Sequence, residues 1–245
     1  MDCLLKMKNT LIVIPARYES HRLPGKILEE LHGYPMIYWV YRRALNAESG
    51  AVVVAADHPI VFKVLEDLGI PYIQTDPNCK NGTERVYEVS KKYPAIQYFI
   101  NVQGDEPLLN PSVIRDVVAS GFDDNVFKTA ISPIFDNINN SNEVKVALSF
   151  NNRIRFASRC LIPFPRGGAT ELYKIHGVYL YSRGVLETFV SATPGPLELL
   201  ESVEQLRCIE NDIPLVGVIT QHTERSVDTY DDLNFMRDQP KELFY

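Results

Sequence analysis

The sequence predicts an α/β protein, a mixed and mostly parallel sheet with helices on both faces. Short apolar runs of strand length alternate with segments of helical spacing through the first half of the chain. Pro, Gly, Asn and Asp punctuate the joins, as βα and αβ turns require. Such alternation means parallel strands whose crossovers cover both faces.

Leu11 to Ala16 reads as the first strand. Met36, Ile37, Val40, Tyr41, Ala44 and Leu45 recur at helical spacing, so Pro35 to Asn46 is expected to be an amphipathic helix. Ala51 to Ala56 is the second strand, and Pro59 opens a helix to about Leu68. Pro71 to Gln74 is a short strand, Thr83 to Lys92 a helix and Tyr98 to Val102 a fourth strand. Asn110-Pro111 is a helix start with a capping Asn and Pro at the first position. The layout is Rossmann-like but lacks GxGxxG. From about Asp136 the pattern changes. Glu143 to Phe150 and Arg153 to Ala157 read as extended segments around the turn Asn151-Asn152. Ile175 to Tyr181 is a strand, Pro196 to Glu210 a long helix, and Val216 to Thr220 a returning strand. Thr229 with Asp232 resembles a capping box opening a last helix. The chain is expected to be one domain, with a nucleotide-binding part at about 9–135 and 213–245. The segment at about 136–212 is expected to be an insertion that binds substrate or pairs two copies.

A net charge of −6 argues against a general nucleic-acid binder, which needs a basic surface. No apolar stretch reaches membrane-spanning length, and residues Met1 to Thr10 lack the apolar core of a signal peptide, so a cytoplasmic protein is expected. The four cysteines show no CxxC spacing and the five histidines no metal spacing. There is no triad pattern and no Walker A loop, since Gly25-Lys26 is followed by Ile27.

Against that acidic background the loop leaving the first strand stands out. Arg17, Arg22 and Lys26 lie on one loop at the carboxyl end of a strand, the edge where ligands bind in open α/β sheets. Three cations there suit a triphosphate, with Arg as a planar fork and Lys as a point charge. The plain alternative is a solvated loop paired with Glu19, Glu29 and Glu30. A second strand ends in Asn101-Val102-Gln103-Gly104-Asp105-Glu106-Pro107. Gly104 lets the backbone approach a ligand, and Asp105 reads as a Mg²⁺ ligand beside the phosphates. Glu106 does not, because neighbouring side chains at a strand end point apart. Asp228 reads either as a helix-start acid or, together with Asp105, as the second metal ligand; the metal reading is favoured. The turn Lys80 to Arg85 offers backbone amides and the Thr83 hydroxyl to an anion or a base edge.

Taken together, Ile14-Pro15-Ala16-Arg17, Arg22 to Lys26, Gly82 to Arg85, Asn101 to Pro107, Glu204-Gln205-Leu206-Arg207 and Val227-Asp228-Thr229 resemble the 3-deoxy-manno-octulosonate (KDO) cytidylyltransferases. The likeness runs from about residue 10 to 238. It implies the nucleotide-diphospho-sugar transferase type of fold. It also implies transfer of CMP from CTP to the anomeric hydroxyl of KDO, with release of pyrophosphate, for lipopolysaccharide synthesis. By motif, Arg17, Arg22, Lys26 and Asp105 carry the chemistry. Ala16, Ser20, Gly82, Thr83 and Arg85 join the three cations around the nucleotide. Gln103, Arg159, Tyr179, Glu204 and Gln205 contact the sugar acid, and Asp105 and Asp228 hold Mg²⁺. A homodimer is implied too, and the apolar residues Phe150, Phe156, Leu161, Ile162, Phe164, Leu197, Leu199 and Leu200 fit one.

The chain departs from the family in one place. The family order is a basic residue, His and an apolar residue before Gly-x-Tyr; here it is Lys174-Ile175-His176-Gly177-Val178-Tyr179. A one-residue shift along a strand predicts that the imidazole faces the opposite side of the sheet. The rival acceptors are an 8-amino octulosonate and a sialic-acid-like nonulosonate. A glycosyltransferase of similar layout needs fewer cations for its diphosphate-sugar. A CTP-binding regulator without activity predicts loss of a loop cation or a metal acid, and all are present.

Overall fold

The computed structural model describes residues 9–20, 22–135, 137–167, 171–222 and 225–245. The N-terminal reading (residues 1–8), His21 in the cation loop and Asp136 at the start of the expected insertion lie outside the described residues.

One sheet organises the described residues. Its strand order is β11-β7-β10-β6-β1-β4-β5, with β8 and β9 off this path. β1 (Thr10–Ala16) lies between β4 (Ala51–Ala56) and β6 (Tyr98–Val102), parallel to both. β5 (Tyr72–Gln74) extends the parallel side beyond β4. β10 (Tyr173–Ser182) runs antiparallel between β6 and β7 (Phe127–Pro133), and β11 (Leu215–Ile219) pairs parallel with β7. β8 (Lys145–Leu148) pairs with β10 and β9 (Ile154–Ser158). A small hairpin, β2 (Glu30–Leu31) and β3 (Tyr34–Pro35), lies apart from the sheet. β1 is buried along its whole length, which is why its sequence is a continuous apolar run rather than an alternation.

The helices cover both faces. On one side, α1 (Met36–Asn46), α2 (Pro59–Asp67) and α4 (Pro111–Ala119) pack on alternate residues of the strands, around Ile12, Ile14, Val54, Ile100 and Val113. On the other side, α3 (Gly82–Ser90) and α5 (Arg183–Ser191) cover Leu11, Val13, Phe99, Phe127 and Tyr181. The predicted starts at Pro59 and Pro111 hold, with His58 and Asn110 as side-chain caps. α8 (Tyr230–Asp238) opens with the expected capping box of Thr229 and Asp232.

Two expectations are corrected. The long helix from Pro196 is two short ones, α6 (Pro196–Glu201) and α7 (Leu206–Glu210). The chain breaks at Ser202, whose φ of 52° is left-handed. β7 and α5 were not expected, although Ser182 caps α5 and the turn Gly121 to Asn125 leads into β7. No helix among the described residues is long and apolar enough to cross a membrane.

Candidate active site

The cation loop is hung on Tyr18. Its N–H donates to Asp57 Oδ1 (3.0 Å), and its carbonyl accepts from the Gly25 N–H (3.1 Å). Its ring stacks on His58 with centroids 4.2 Å apart. The other oxygen of Asp57 accepts from the Arg85 guanidinium at 2.9 Å, and Arg85 also donates to Thr75 Oγ1 at 2.6 Å. Asp57 therefore ties the loop after β1 to the first turns of α3, through a buried ion pair. The sequence reading missed it, although Asp57 follows β4 at the same sheet edge as Arg17 and Asp105.

The loop's cations meet acids that sequence places far away. Lys26 Nζ lies 2.6 Å from Asp105 Oδ2, 2.9 Å from the Val227 carbonyl and 3.5 Å from Asp228 Oδ1. Arg22 donates to Asp228 Oδ1 at 2.8 Å and to Asn142 Oδ1 at 3.1 Å. Arg17 donates to the Glu19 carbonyl at 2.6 Å. The plain alternative of a loop balanced by its neighbours Glu29 and Glu30 fails for Lys26 and Arg22, and Glu29 instead pairs with Arg237. Burial would lower the Lys26 pKa, but the Asp105 and Asp228 carboxylates outweigh it and hold it above the usual lysine value.

Local structure aims both acids. The Asp105 carbonyl accepts from the Val227 N–H at 2.9 Å, which fastens the 227–228 segment to the end of β6. Gly104 is needed for close packing, though against protein rather than ligand: a Cβ there would lie 2.6 Å from the Pro15 carbonyl of β1. Thr229 is the N-cap of α8, so Asp228 is released from capping and its carboxylate turns to Lys26. Glu106 points away from Asp105, as expected, and accepts from Gly177.

Two carboxylates and a carbonyl thus converge on one ammonium. This all-oxygen set fits Mg²⁺, which takes one or two carboxylates and fills its shell with water and phosphate oxygens. Among the described residues, no cluster of three or more His, Cys, Asp or Glu could hold a metal on its own.

A cavity of about 310 Å³ brings together Arg17, Ser20, Arg22, Lys26, Gly82, Arg85, Gln103, Asp105 and Asp228. Two expected nucleotide contacts lie elsewhere. The Ala16 side chain is fully buried in the sheet, and Pro15 is the β1 residue that borders the cavity. Thr83 is also fully buried, because it follows Gly82 into α3; its N–H donates to Glu204 Oε2 at 3.3 Å. Arg85 reaches the cavity only as wall, its guanidinium committed to Asp57 and Thr75.

Gln103 is shared with a second cavity, of about 500 Å³, which also takes in Arg159, Tyr179, Glu204 and Gln205. All five expected sugar contacts therefore share one space. The Arg159 guanidinium donates to the carbonyls of Glu201 (2.8 Å), Ser141 (3.0 Å) and Ser202 (3.2 Å). Two of these are freed by the break between α6 and α7. Three donors leave part of the five-donor fork for a ligand. Burial raises the Glu204 pKa to about 7 despite Thr83 and Arg207. Burial also raises the Tyr179 pKa, with the Glu204 charge adding to it.

A third cavity, of about 750 Å³, adjoins both and is bordered by Asp105, Asp228, Gln103, Lys174, His176 and Tyr179 among others. Ile175 and its neighbour His176 pack differently, as the one-residue shift predicts: Ile175 joins the apolar cluster around Val13, Phe99 and Tyr181, and His176 turns to Ser132. The pairing of β10 with β7 shifts register between Ile175 and Tyr179. Ile175, His176, Gly177 and Tyr179 all border the same cavity. His176 Nε2 lies 2.7 Å from Ser132 Oγ, and burial, then the Lys174 charge, push its pKa down to about 3.

A family model described as cytidylyltransferase matches residues 11–216. A 3-deoxy-manno-octulosonate cytidylyltransferase of Elusimicrobium minutum is 37% identical, over 94% of this chain and 98% of its own length. The chain belongs to the 3-deoxy-manno-octulosonate cytidylyltransferase family. A solved member of that family, a CMP:2-keto-3-deoxy-manno-octonic acid synthetase in complex with CTP, superposes with a TM-score of 0.85 at 33% identity, covering 93% of this chain and 96% of its own. The inositol-1-phosphate CTP transferase of T. maritima, 17% identical with a TM-score of 0.65, shares the fold. In this member of the family the cavity beneath the cation loop is bordered by residues of the segments Arg17 to Lys26 and Gln103 to Asp105.

Proposed function

We propose that this chain transfers CMP from CTP to the anomeric 2-hydroxyl of 3-deoxy-D-manno-octulosonate, giving CMP-KDO and pyrophosphate for lipopolysaccharide synthesis. One observation carries the reading. Arg17, Arg22 and Lys26 border one cavity together with Asp105 and Asp228, and Gln103 joins that cavity to the one bordered by Arg159, Tyr179, Glu204 and Gln205. A triphosphate in the first and a sugar acid in the second would meet beside Gln103 and Asp105.

The sugar hydroxyl forms a bond to the α-phosphorus as the bond to pyrophosphate breaks in line. Such chemistry depends on positioning and charge neutralisation. Lys26 and Arg22 would exchange their carboxylates for phosphate oxygens, and Arg17 would add a fork at the same loop. Preorganised cations facing the charge that builds on the leaving group stabilise the transition state. Asp105 and Asp228 would hold Mg²⁺, which when bound neutralises phosphate charge and acidifies the attacking hydroxyl. The unused Arg159 donors suit the sugar carboxylate, and Gln103, Tyr179 and Gln205 suit its hydroxyls.

The same reading has the enzyme acting in the cytoplasm as a homodimer, with the pairing surface in the 136–212 segment. Phe150, Phe164, Leu199 and Leu200 of that segment are exposed, which supports pairing. An 8-amino octulosonate or a sialic-acid-like nonulosonate is the alternative acceptor, favoured by Ile175 standing where the family has His, beside the 750 Å³ cavity.

Pyrophosphate release with CTP and Mg²⁺ across a panel of 2-keto-3-deoxy acids tests the proposal. KDO should turn over fastest, and CTP should far exceed ATP and GTP. No release with any acid would refute it, and light scattering near 27.8 kDa would refute the dimer.

A further inference from the structure

Glu106 has no part in the site as derived so far, yet it is buried at the foot of the site. Its Oε1 accepts from the Gly177 N–H at 3.0 Å, 71 residues away in sequence. The Gly177 carbonyl in turn accepts from the Gln103 N–H at 2.8 Å. Gly177 is therefore held on both sides by the strand end that carries Asp105. It sits within the stretch where β10 loses register with β7, between Ile175 and Tyr179. Regular pairing of β10 with β6 begins at the next residue, Val178 opposite Val102. An irregular stretch leaves backbone groups outside the ladder, and a buried N–H without a partner is costly. Glu106 supplies that partner.

The fit is close enough to exclude a side chain. A Cβ on Gly177 would lie 2.6 Å from Gln103 Cγ, 2.7 Å from Gln103 Cβ and 2.7 Å from Glu106 Oε1. Gln103 thus lies directly against the backbone that Glu106 pins. Two residues on, the Tyr179 hydroxyl faces the Gln103 and Gln205 amides. These three side chains form the wall common to the 500 Å³ and 750 Å³ cavities.

We propose that Glu106 is a positioning residue for the acceptor: by fixing the Gly177 backbone it seats Gln103 and Tyr179 against the sugar acid. The inference rests on the proposed function and goes beyond it: Glu106 borders the 750 Å³ cavity, and its part is to hold the Gly177 backbone. The cation loop is anchored separately, through Tyr18 and Asp57, so the larger effect falls on the acceptor side.

The test is steady-state kinetics with each substrate varied in turn, on wild type, Glu106→Gln, Glu106→Ala and Gly177→Ala, with thermal melts on the same preparations. Glu106→Gln keeps an acceptor oxygen for the Gly177 N–H and should hold both KM values within about threefold of wild type. Glu106→Ala loses a hydrogen bond to a charged group and should raise the acid KM by roughly tenfold or more, with the CTP KM nearly unchanged. Gly177→Ala displaces Gln103 while Glu106 stays intact, and it should show the same split. It decides the matter should Glu106→Ala fail to fold. An active wild type whose Glu106→Ala and Gly177→Ala forms keep the wild-type acid KM, or raise both KM values together, overturns the inference and leaves the function standing. A wild type that releases no pyrophosphate with any acid overturns both.

Discussion

Lys26 lies 2.6 Å from Asp105, its ammonium between the carboxylates of Asp105 and Asp228. The relation links sequence to chemistry in one step. Lys26 leaves the loop after β1, Asp105 ends β6, and the two strands are parallel neighbours, so their carboxyl ends meet. Asp228 arrives from the far end of the chain because Val227 hydrogen-bonds the Asp105 carbonyl. Without ligands Lys26 and Arg22 balance the two carboxylates, which stabilises the partly buried cluster.

Lys26 and Mg²⁺ should therefore compete for the free protein. In Lys26→Met the two acids lose their internal cation. Mn²⁺ binding without nucleotide, followed by electron paramagnetic resonance, should tighten by about tenfold or more. Turnover should fall by two to three orders of magnitude, about 3–4 kcal/mol, as for loss of one preorganised charge at the transition state. Asp105→Asn should also abolish most turnover but weaken Mn²⁺ binding, with a native circular dichroism spectrum. Unchanged Mn²⁺ affinity in Lys26→Met would show that Lys26 does not guard the metal acids.

Asp57 should be a residue of both fold and nucleotide site. Asp57→Ala leaves the Arg85 guanidinium, 2% exposed, without its carboxylate. Breaking a buried pair this way costs about 3–5 kcal/mol and should lower Tm clearly. It also frees the Tyr18 anchor of the cation loop, so the CTP KM should rise while the acid KM holds. A lower Tm with unchanged CTP KM would confine Asp57 to the fold.

Much of this was legible in the chain. Buried parallel strands such as Ala51–Ala56 announce themselves as apolar runs, and Asn110-Pro111 and Thr229-x-x-Asp232 mark helix starts by local chemistry. The loop cations and Asp105 were readable because unusual charge stood at strand ends. What escaped depends on tertiary partners. Pro196 to Glu210 keeps helical spacing, and only the packing of Glu204 on Thr83 and of Arg159 on the freed carbonyls accounts for the break at Ser202. The partner of His176 was not readable, because Ser132 lies on β7, a strand the sequence did not announce. Asp57 and Glu106 work through backbone N–H groups, which sequence does not display.

Arg159→Ala should now show two effects. Three carbonyl acceptors lose a donor, so Tm should drop; and the sugar carboxylate loses a charged partner, so the acid KM should rise by about one to two decades with CTP binding intact. Calorimetry and kinetics on one preparation separate the effects. A lower Tm with an unchanged acid KM would leave Arg159 as a strap between loops.

Glu204 and His176 should oppose each other in the pH dependence of stability. The folded pKa of Glu204 is raised from 4.5 to about 7, so the folded state holds a proton that the unfolded chain has released. Its contribution is full below about pH 4.5 and is lost as pH rises towards 7. The folded pKa of His176 is lowered from 6.5 to about 3, so the unfolded chain takes up a proton that the folded state refuses. Its contribution is full above about pH 6.5 and is lost as pH falls towards 3. Between pH 4.5 and 6.5 the two slopes have opposite sign and each approaches one proton, so they cancel in the wild type. Glu204→Gln should expose the His176 slope, with stability falling by up to about 1.4 kcal/mol for each unit of acidification in that window. His176→Gln should expose the reverse slope, with stability falling as pH rises. Urea denaturation at half-unit intervals reads both. Parallel profiles for the wild type and the two variants would show that neither group is held away from its ordinary ionisation by the fold.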